Sequence, residues 1–318
     1  MLNKPRTKAK DKQTRSKKSS IELPAQKNPL DFYIRETKTA YKARPFSLYY
    51  DDSVNSIRLL QGNCIEILNQ AGEGSVDMIF ADPPYFLSND GITCYAGKMV
   101  SVNKGAWDKS KGTKENHQFN LMWLKACKRV LKPNGTIWVS GTTHIIYSIG
   151  FAMQELGYKI LNDIIWYKRN APPNLSCRYF THSTEIVLWA ARDEKSKHYF
   201  DYPRMKQINK GKQMRNLWQF AGAEQERQED NVWEISSPSF DEKRFGKHPT
   251  QKPIELLIRI IQASTQEGDL VLDPFCGSST TGVTAVILGR RYVGIDSDAG
   301  FLELSKNRLV DAVRQKDI

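Results

Sequence analysis

Along the chain, short apolar runs alternate with stretches of helical spacing. Ser56–Asn63 reads as a strand closing on a Gly-Asn turn, and Cys64–Gln70 as a short helix that Gly72 and Gly74 end. Val76–Ala81 follows, apolar on both faces as in a buried parallel strand, and stops at Asp82-Pro83-Pro84-Tyr85. Two successive prolines fix φ and force an extended exit. Asp82 and Tyr85 therefore stand on a stiff loop at the carboxyl end of a strand, where open α/β sheets place their ligands.

Phe86–Lys114 is long, rich in Gly, Ser, Lys and Asn, and weakly periodic, which suits a mobile lid over a substrate. Phe119–Leu131 has helical spacing and stops at Lys132-Pro133-Asn134-Gly135, with a strand over Thr136–Ser140. Ile145–Leu156 is a helix closed by Gly157, and Tyr158–Lys168 and Glu185–Ala191 are strands. Arg192–Arg244 loses periodicity and interleaves Lys, Arg and Gln with aromatics. Alternation then returns: helix Pro253–Ser264 with proline in its first turn, strand Leu270–Phe275, helix Thr280–Leu288, strand Tyr292–Asp296 and helix Phe301–Val313. Strands alternating with helices predict an α/β fold with a mostly parallel sheet covered on both faces.

A chain of 318 residues buries a good core, and 40% hydrophobic content excludes global disorder. The net charge of +12 points to a polyanionic partner such as nucleic acid, and the basic aromatic segment suits contact with it. Residues 1–20 hold eight Lys or Arg against one Asp, which predicts a disordered basic tail. The five cysteines are scattered without a Cys-x-x-Cys pair and the histidines lack metal spacing, so neither a disulfide framework nor a metal site is expected. No apolar run approaches the roughly 18 residues of a membrane span and no signal-peptide core is present, so the expected setting is the cytoplasm.

A second constellation lies at Leu270-Val271-Leu272-Asp273-Pro274-Phe275-Cys276-Gly277-Ser278-Ser279-Thr280-Thr281-Gly282. It is a strand, a turn of small residues, then a helix start, which lets a ligand approach the backbone and offers it free N–H groups. Asp296, at the end of the next strand, stands where an acid accepts hydrogen bonds from both hydroxyls of a ribose. The turn is not Gly-x-Gly-x-x-Gly and lacks the P-loop lysine, so a nucleoside without a phosphate chain fits better than NAD or ATP.

The combination resembles the amino-methylating DNA methyltransferases of the β arrangement, over roughly Ile57 to Leu309. That resemblance implies a Rossmann-like, circularly permuted methyltransferase sheet in which the catalytic loop precedes the cofactor turn. The divisions it implies are a tail (1–45), a catalytic half (46–192), a target-recognition region (193–246) and a cofactor half (247–318). S-adenosylmethionine is the implied cofactor and DNA the implied partner. The cofactor contacts would come from Asn63, Asp82, Thr250, Lys252, Asp273, Phe275, Gly277, Ser279, Thr280 and Asp296. Lys252, in His248-Pro249-Thr250-Gln251-Lys252-Pro253, corresponds to a family lysine that helps hold the methionine carboxylate. Two positions depart from the family. Ser279 replaces a usual glycine and suits a negative φ, and Asn63 replaces a frequent acid, its amide oxygen remaining able to accept from the cofactor's adenine.

More narrowly, Tyr85–Asn89, Gly105-Ala106-Trp107-Asp108-Lys109 and Asn174–Glu185 are similar to the adenine methylases of DpnII-type restriction–modification systems, which recognise GATC. That match implies the GATC target, a cognate endonuclease acting on the same site without direct binding, and leaves room for a homodimer. Asp82 and the Pro83 carbonyl would accept the hydrogens of a flipped-out adenine amine, with Pro84 stiffening the loop and Tyr85 stacking on the base. Phe86 and Trp107 are candidates for the pocket or lid, and equally for the core. Lys206, Lys210, Lys212 and Arg215 are candidates for phosphate contact, and Cys64 and Cys276 are expected to be structural. The rival readings are N4-cytosine methylation, whose enzymes usually carry Ser in place of Asp82, and a non-catalytic DNA-binding protein on the same fold.

Overall fold

A computed structural model of the protein describes residues 46–88, 92–95, 98–101, 108–168, 171, 173–174, 177–218, 241–246 and 248–316. The basic segment 1–45, Trp107 and residues 219–240 lie outside the described residues.

The strands are β1 (Phe46–Asp52), β2 (Ile57–Gly62), β3 (Val76–Ala81), β4 (Ile92–Tyr95), β5 (Lys98–Ser101), β6 (Leu131–Gly141), β7 (Lys159–Tyr167), β8 (Thr184–Ala191), β9 (Leu217–Trp218), β10 (Leu270–Asp273) and β11 (Arg291–Asp296). The helices are α1 (Cys64–Gln70), α2 (Thr113–Val130), α3 (Ile146–Glu155), α4 (Tyr202–Ile208), α5 (Ile254–Ser264), α6 (Thr280–Ile287) and α7 (Ala299–Lys316). Nine strands form one sheet in the order β1-β2-β11-β10-β3-β6-β8-β7-β9, and β4 and β5 pair as a separate antiparallel hairpin. From β2 through β11, β10 and β3 to β6 every pairing is parallel, while β1 and β8 add antiparallel partners. The expected mostly parallel α/β sheet is what forms.

The period-two alternation of each strand divides the core between two faces. Met78 and Phe80 of β3 point to one face, with α5, α6 and α7; Ile79 and Ala81 point to the other, with α1, α2 and α3. The centre of the sheet holds β10 beside β3, although nearly 200 residues separate them along the chain. Chain order reverses there, so the carboxyl ends of β3 and β10 open a crevice between them.

Several boundaries differ from the pattern read along the sequence. Lys132–Gly135, expected as a turn, lies within β6 as an irregularity between the Val76–Leu131 and Met78–Thr136 pairs. Gly135 permits it, since a Cβ there would stand 3.0 Å from the Asp77 carbonyl. Helix α1 ends at Ala71, before either glycine. Helix α2 begins at Thr113 and the β4–β5 hairpin occupies part of the stretch expected as a structureless lid. Helix α4 forms where periodicity seemed lost: Met205 is buried, and Phe200 packs on Trp189 at 5.5 Å, so part of the basic aromatic segment serves the core. No described helix is long and apolar enough to cross a membrane.

Gly282 marks the closest packing of α6 on the sheet. A Cβ there would fall 2.4 Å from the ring of Tyr292, which is buried and cannot retreat. Gly282→Ala gains about 1 kcal/mol of helix propensity, but overpacking costs about 1–3 kcal/mol, so the sheet-side clash decides the sign. The expected result is a lower denaturant midpoint for Gly282→Ala; an equal or higher midpoint would show that α6 stands off from Tyr292.

Candidate active site

The loop after β3 is held by a buried alternation of charges. Asp82 Oδ1 accepts the Tyr85 hydroxyl at 2.7 Å, and Oδ2 accepts the Lys252 ammonium at 2.5 Å. Burial, and then the charges of Asp82 and Glu185, push the Tyr85 phenol well above its usual value, so it stays protonated and donates. The same hydroxyl lies 3.3 Å from Ser140 Oγ and 3.4 Å from Glu185 Oε2. Burial opposes the charge of Lys252, but the carboxylates of Asp82 and Glu185 outweigh it and raise its pKa. Glu185 in turn pairs with Lys168. Two acids and two lysines thus compensate one another, which buried charges require.

Asp108 fixes the continuation of the loop. Its carboxylate is buried and accepts the Phe86 N–H at 2.7 Å, the Leu87 N–H at 3.2 Å and the Ser88 hydroxyl at 2.9 Å. This clamp holds Phe86 at φ +57°, uncommon for a large residue. The Phe86 side chain packs into the core edge-on to Phe119, at 6.0 Å, rather than lining the cleft.

The turn after β10 is built from below by α7. Ser305 donates to the Gly277 carbonyl at 2.6 Å and Arg308 to the Ser278 carbonyl at 2.5 Å. Asp273 accepts the Phe275 N–H at 3.0 Å and the Thr281 hydroxyl at 2.7 Å. Burial nevertheless pushes its carboxyl up to about 7, with Asp82 and Asp296 adding repulsion. Asp296 accepts the Gly277 N–H at 2.9 Å and is itself raised by burial. Gly277 sits at φ +50° with the His248 ring 2.8 Å from where its Cβ would be.

These elements enclose a cleft of about 490 Å³. Asn63, Asp82, Pro83, Pro84, Tyr85, Thr250, Phe275, Gly277 and Asp296 all line it, and Lys252, Asp273 and Thr280 line an adjoining recess. Asp108, His248 and Phe301 join the wall without having been singled out along the sequence.

Three expectations need revision. Ser279 has φ +51°, not the negative value that suits serine, and it is fully buried with its hydroxyl 3.1 Å from that of Tyr292. Its side chain therefore supports the turn from behind. The Asn63 amide oxygen is already engaged by the Ile65 and Glu66 N–H groups as the N-cap of α1, which leaves its amide nitrogen, a donor, for the cleft. Lys252 reaches Asp82 instead of standing apart to meet a ligand carboxylate. Lys206, Lys210, Lys212 and Arg215 are exposed on α4 and the segment after it, and none lines the cleft. Cys64 and Cys276 are buried; burial pushes the Cys64 thiol up to about 12 and the Cys276 thiol well above its usual value, so both stay protonated and structural.

A family model described as DNA methylase matches residues 76–307, which span both the loop after β3 and the turn after β10. The chain belongs to this DNA methylase family. Type II methyltransferase M2.DpnII of Streptococcus pneumoniae is 51% identical to this methylase over 82% of the chain and 91% of the relative. Type II methyltransferase M2.LlaDCHI of Lactococcus lactis subsp. cremoris is also 51% identical, over the same shares of each chain. Among solved structures, the M1.HpyAVI–SAM complex is 25% identical with a TM-score of 0.54, covering 80% of this chain and 98% of that one. The PvuII cytosine-N4-specific DNA methyltransferase has a TM-score of 0.60 at 19% identity over 82% and 92%, a likeness of fold. The methylase is thus a DNA methyltransferase of the Rossmann-like α/β class.

The raised pKa of Asp273 gives a signed pH dependence. A carboxyl that titrates near 7 when folded and 3.8 when unfolded binds its proton more tightly in the folded chain. Its contribution to stability is full at low pH and is lost as pH rises through about 7. A bound cation beside it offsets that loss. The thermal stabilisation conferred by S-adenosylmethionine, which is cationic, is therefore expected to grow with pH up to about 7 and then level off, and Asp273→Asn should flatten the profile. Thermal-shift titrations across pH check this; a wild-type profile as flat as that of the variant would contradict it.

Proposed function

We propose that the methylase transfers a methyl group from S-adenosylmethionine to N6 of a flipped-out adenine in GATC, as the modification enzyme of a restriction–modification system. The observation that carries this reading is the meeting, in one cleft, of the Asp82 carboxylate with the turn and ribose acid of a nucleoside site. The donor set fits the cofactor. Asp296 suits ribose hydroxyls, Gly277 leaves the backbone open to close approach, and Asn63 offers a donor to an adenine ring nitrogen. Asp273 and Thr250 suit the charged amino-acid end. S-adenosylmethionine supplies an electrophilic methyl carbon on a positively charged sulfur.

The residues of the loop do the remaining work. An exocyclic amine is a poor nucleophile because its lone pair is delocalised into the ring. The two Asp82 oxygens each hold one donor, Tyr85 or Lys252. An ionised carboxyl has about four lone-pair directions, so Asp82 retains capacity for an amine N–H, and the Pro83 carbonyl can take the other. Both contacts draw the nitrogen out of conjugation and align its lone pair, which is catalysis by positioning. As nitrogen gains the methyl group it becomes an ammonium, and the Asp82 charge stabilises it. The nitrogen then loses a proton, restoring a neutral secondary amine. No covalent enzyme intermediate is needed, which agrees with the protonated cysteines.

Asp at position 82, rather than Ser, favours adenine over N4 of cytosine. The similarity to the M2.DpnII and M2.LlaDCHI methyltransferases supports GATC.

Incubation of a GATC duplex with labelled cofactor should yield labelled N6-methyladenine on nucleoside digestion. Asp82→Asn, which keeps the shape of the side chain but removes its charge, should lower kcat by about 10²- to 10³-fold with cofactor binding retained. Recovery of N4-methylcytosine would overturn the adenine assignment. Absence of transfer to any DNA would overturn the enzymatic one.

A further inference from the structure

The turn before β8 is not used by the chemistry above, yet its construction is deliberate. Asn174 donates its side-chain amide to the Tyr179 carbonyl at 2.6 Å, and the Cys177 N–H meets the Asn174 carbonyl at 3.3 Å. Cys177 takes φ +52° to close the turn. The rings of Tyr179 and His182 lie 5.5 Å apart, and His182 leans toward His144, 6.4 Å away on the segment leaving β6. Directly after this braced turn comes Phe180, 97% exposed. Leaving a phenylalanine in water forgoes about 1.5–3 kcal/mol of burial, and the surrounding hydrogen bonds do not turn it inward.

Its place relative to the cleft is fixed by the strand that follows. The Ser183 carbonyl accepts the Lys168 N–H at 2.7 Å, and Glu185, five residues beyond Phe180, approaches the Tyr85 hydroxyl at 3.4 Å. Because β8 runs antiparallel to β6, and β6 parallel to β3, the segment before β8 lies at the carboxyl edge of the sheet, where the cleft opens, and Phe180 stands there two residues from Arg178, which is exposed and basic. Moving a base out of a duplex leaves a gap in the stack, and flat apolar side chains fill such gaps. A net charge of +12 favours the approach of the phosphate backbone around the turn.

We propose that Phe180 inserts into duplex DNA at the position vacated by the target adenine and holds the base outside the helix. This rests on the DNA-methylating reading above and extends it to a residue that never touches the reacting atoms. Phe180 is a positioning residue for the extruded state. Because its side chain lies in solvent, Phe180→Ala should leave the unfolding midpoint and cofactor affinity of the full-length protein unchanged.

The test places 2-aminopurine, which brightens on leaving the stack, at the target adenine of a GATC duplex, and measures methyl transfer to the unlabelled duplex in parallel. Phe180→Ala should reduce the fluorescence gain and lower kcat/KM by about 10- to 100-fold, the worth of one base–aromatic stack. Phe180→Trp should retain both. An abasic site opposite the target removes the pairing that must be broken, and there the Phe180→Ala defect should largely disappear. Equal activity of Phe180→Ala and wild type on the paired duplex would overturn the proposal. So would an equal defect on paired and abasic substrates, which would place Phe180 against the base or phosphates instead. Wild-type protein that transfers no methyl group to either duplex would instead overturn the functional reading beneath it.

Discussion

The rest of the site depends on one buried ion pair, Lys252 with Asp82, which joins residues 170 positions apart. Asp82 follows the last residue of β3, and Lys252 stands just before α5. Each charge is nearly out of solvent, so neither half can present its own group without the other. Glu185 and Lys168 extend the pair into a chain of alternating charge, and Tyr85, protonated by its surroundings, donates to the other oxygen of Asp82. The Asp82 carboxylate is thereby aimed and nearly withdrawn from solvent. Such pairs are costly to bury and costlier to break, which makes this one a device for precision rather than for stability.

Around that pair the fold supplies fixed supports. The parallel centre of the sheet sets β3 beside β10, so the two ligand-bearing loops share one edge. Helix α7 grips the carbonyls of the turn after β10 through Ser305 and Arg308, leaving the open side of the turn to the cleft. Asp108 performs the same service for the loop after β3, pinning three successive residues. Each support acts on backbone groups, so the shape of the cleft depends on side chains that lie outside it.

Much of this was legible in the sequence, and the exceptions have physical reasons. Runs such as Val76–Ala81 and Leu270–Asp273 are apolar on both faces and end in proline, so both strands and both ligand loops could be read directly. Strand β1 could not: Phe-Ser-Leu-Tyr-Tyr-Asp-Asp has no clean alternation because it is an edge strand with a bulge and little burial. The roles of Ser279 and Asn63 turned on a backbone angle and a helix cap, which residue type alone does not report. Asp108 and Glu185 lay in segments that carried the resemblance, but their roles were hidden by distance, since a clamp 22 residues from its target has no spacing rule. Glu185 did leave a trace, as a lone acid opening an otherwise apolar strand. The basic aromatic segment also carries a core residue that its weak periodicity did not mark, the buried Met205 of α4.

A double-mutant cycle in equilibrium unfolding tests the central pair most directly. Lys252→Met leaves a buried carboxylate without its counter-charge and should cost about 3–5 kcal/mol. Adding Asp82→Asn to that variant removes the stranded charge and should recover a large part of the loss. If the two substitutions instead destabilise additively, Asp82 and Lys252 do not hold one another, and the account of the site built on their pairing is wrong.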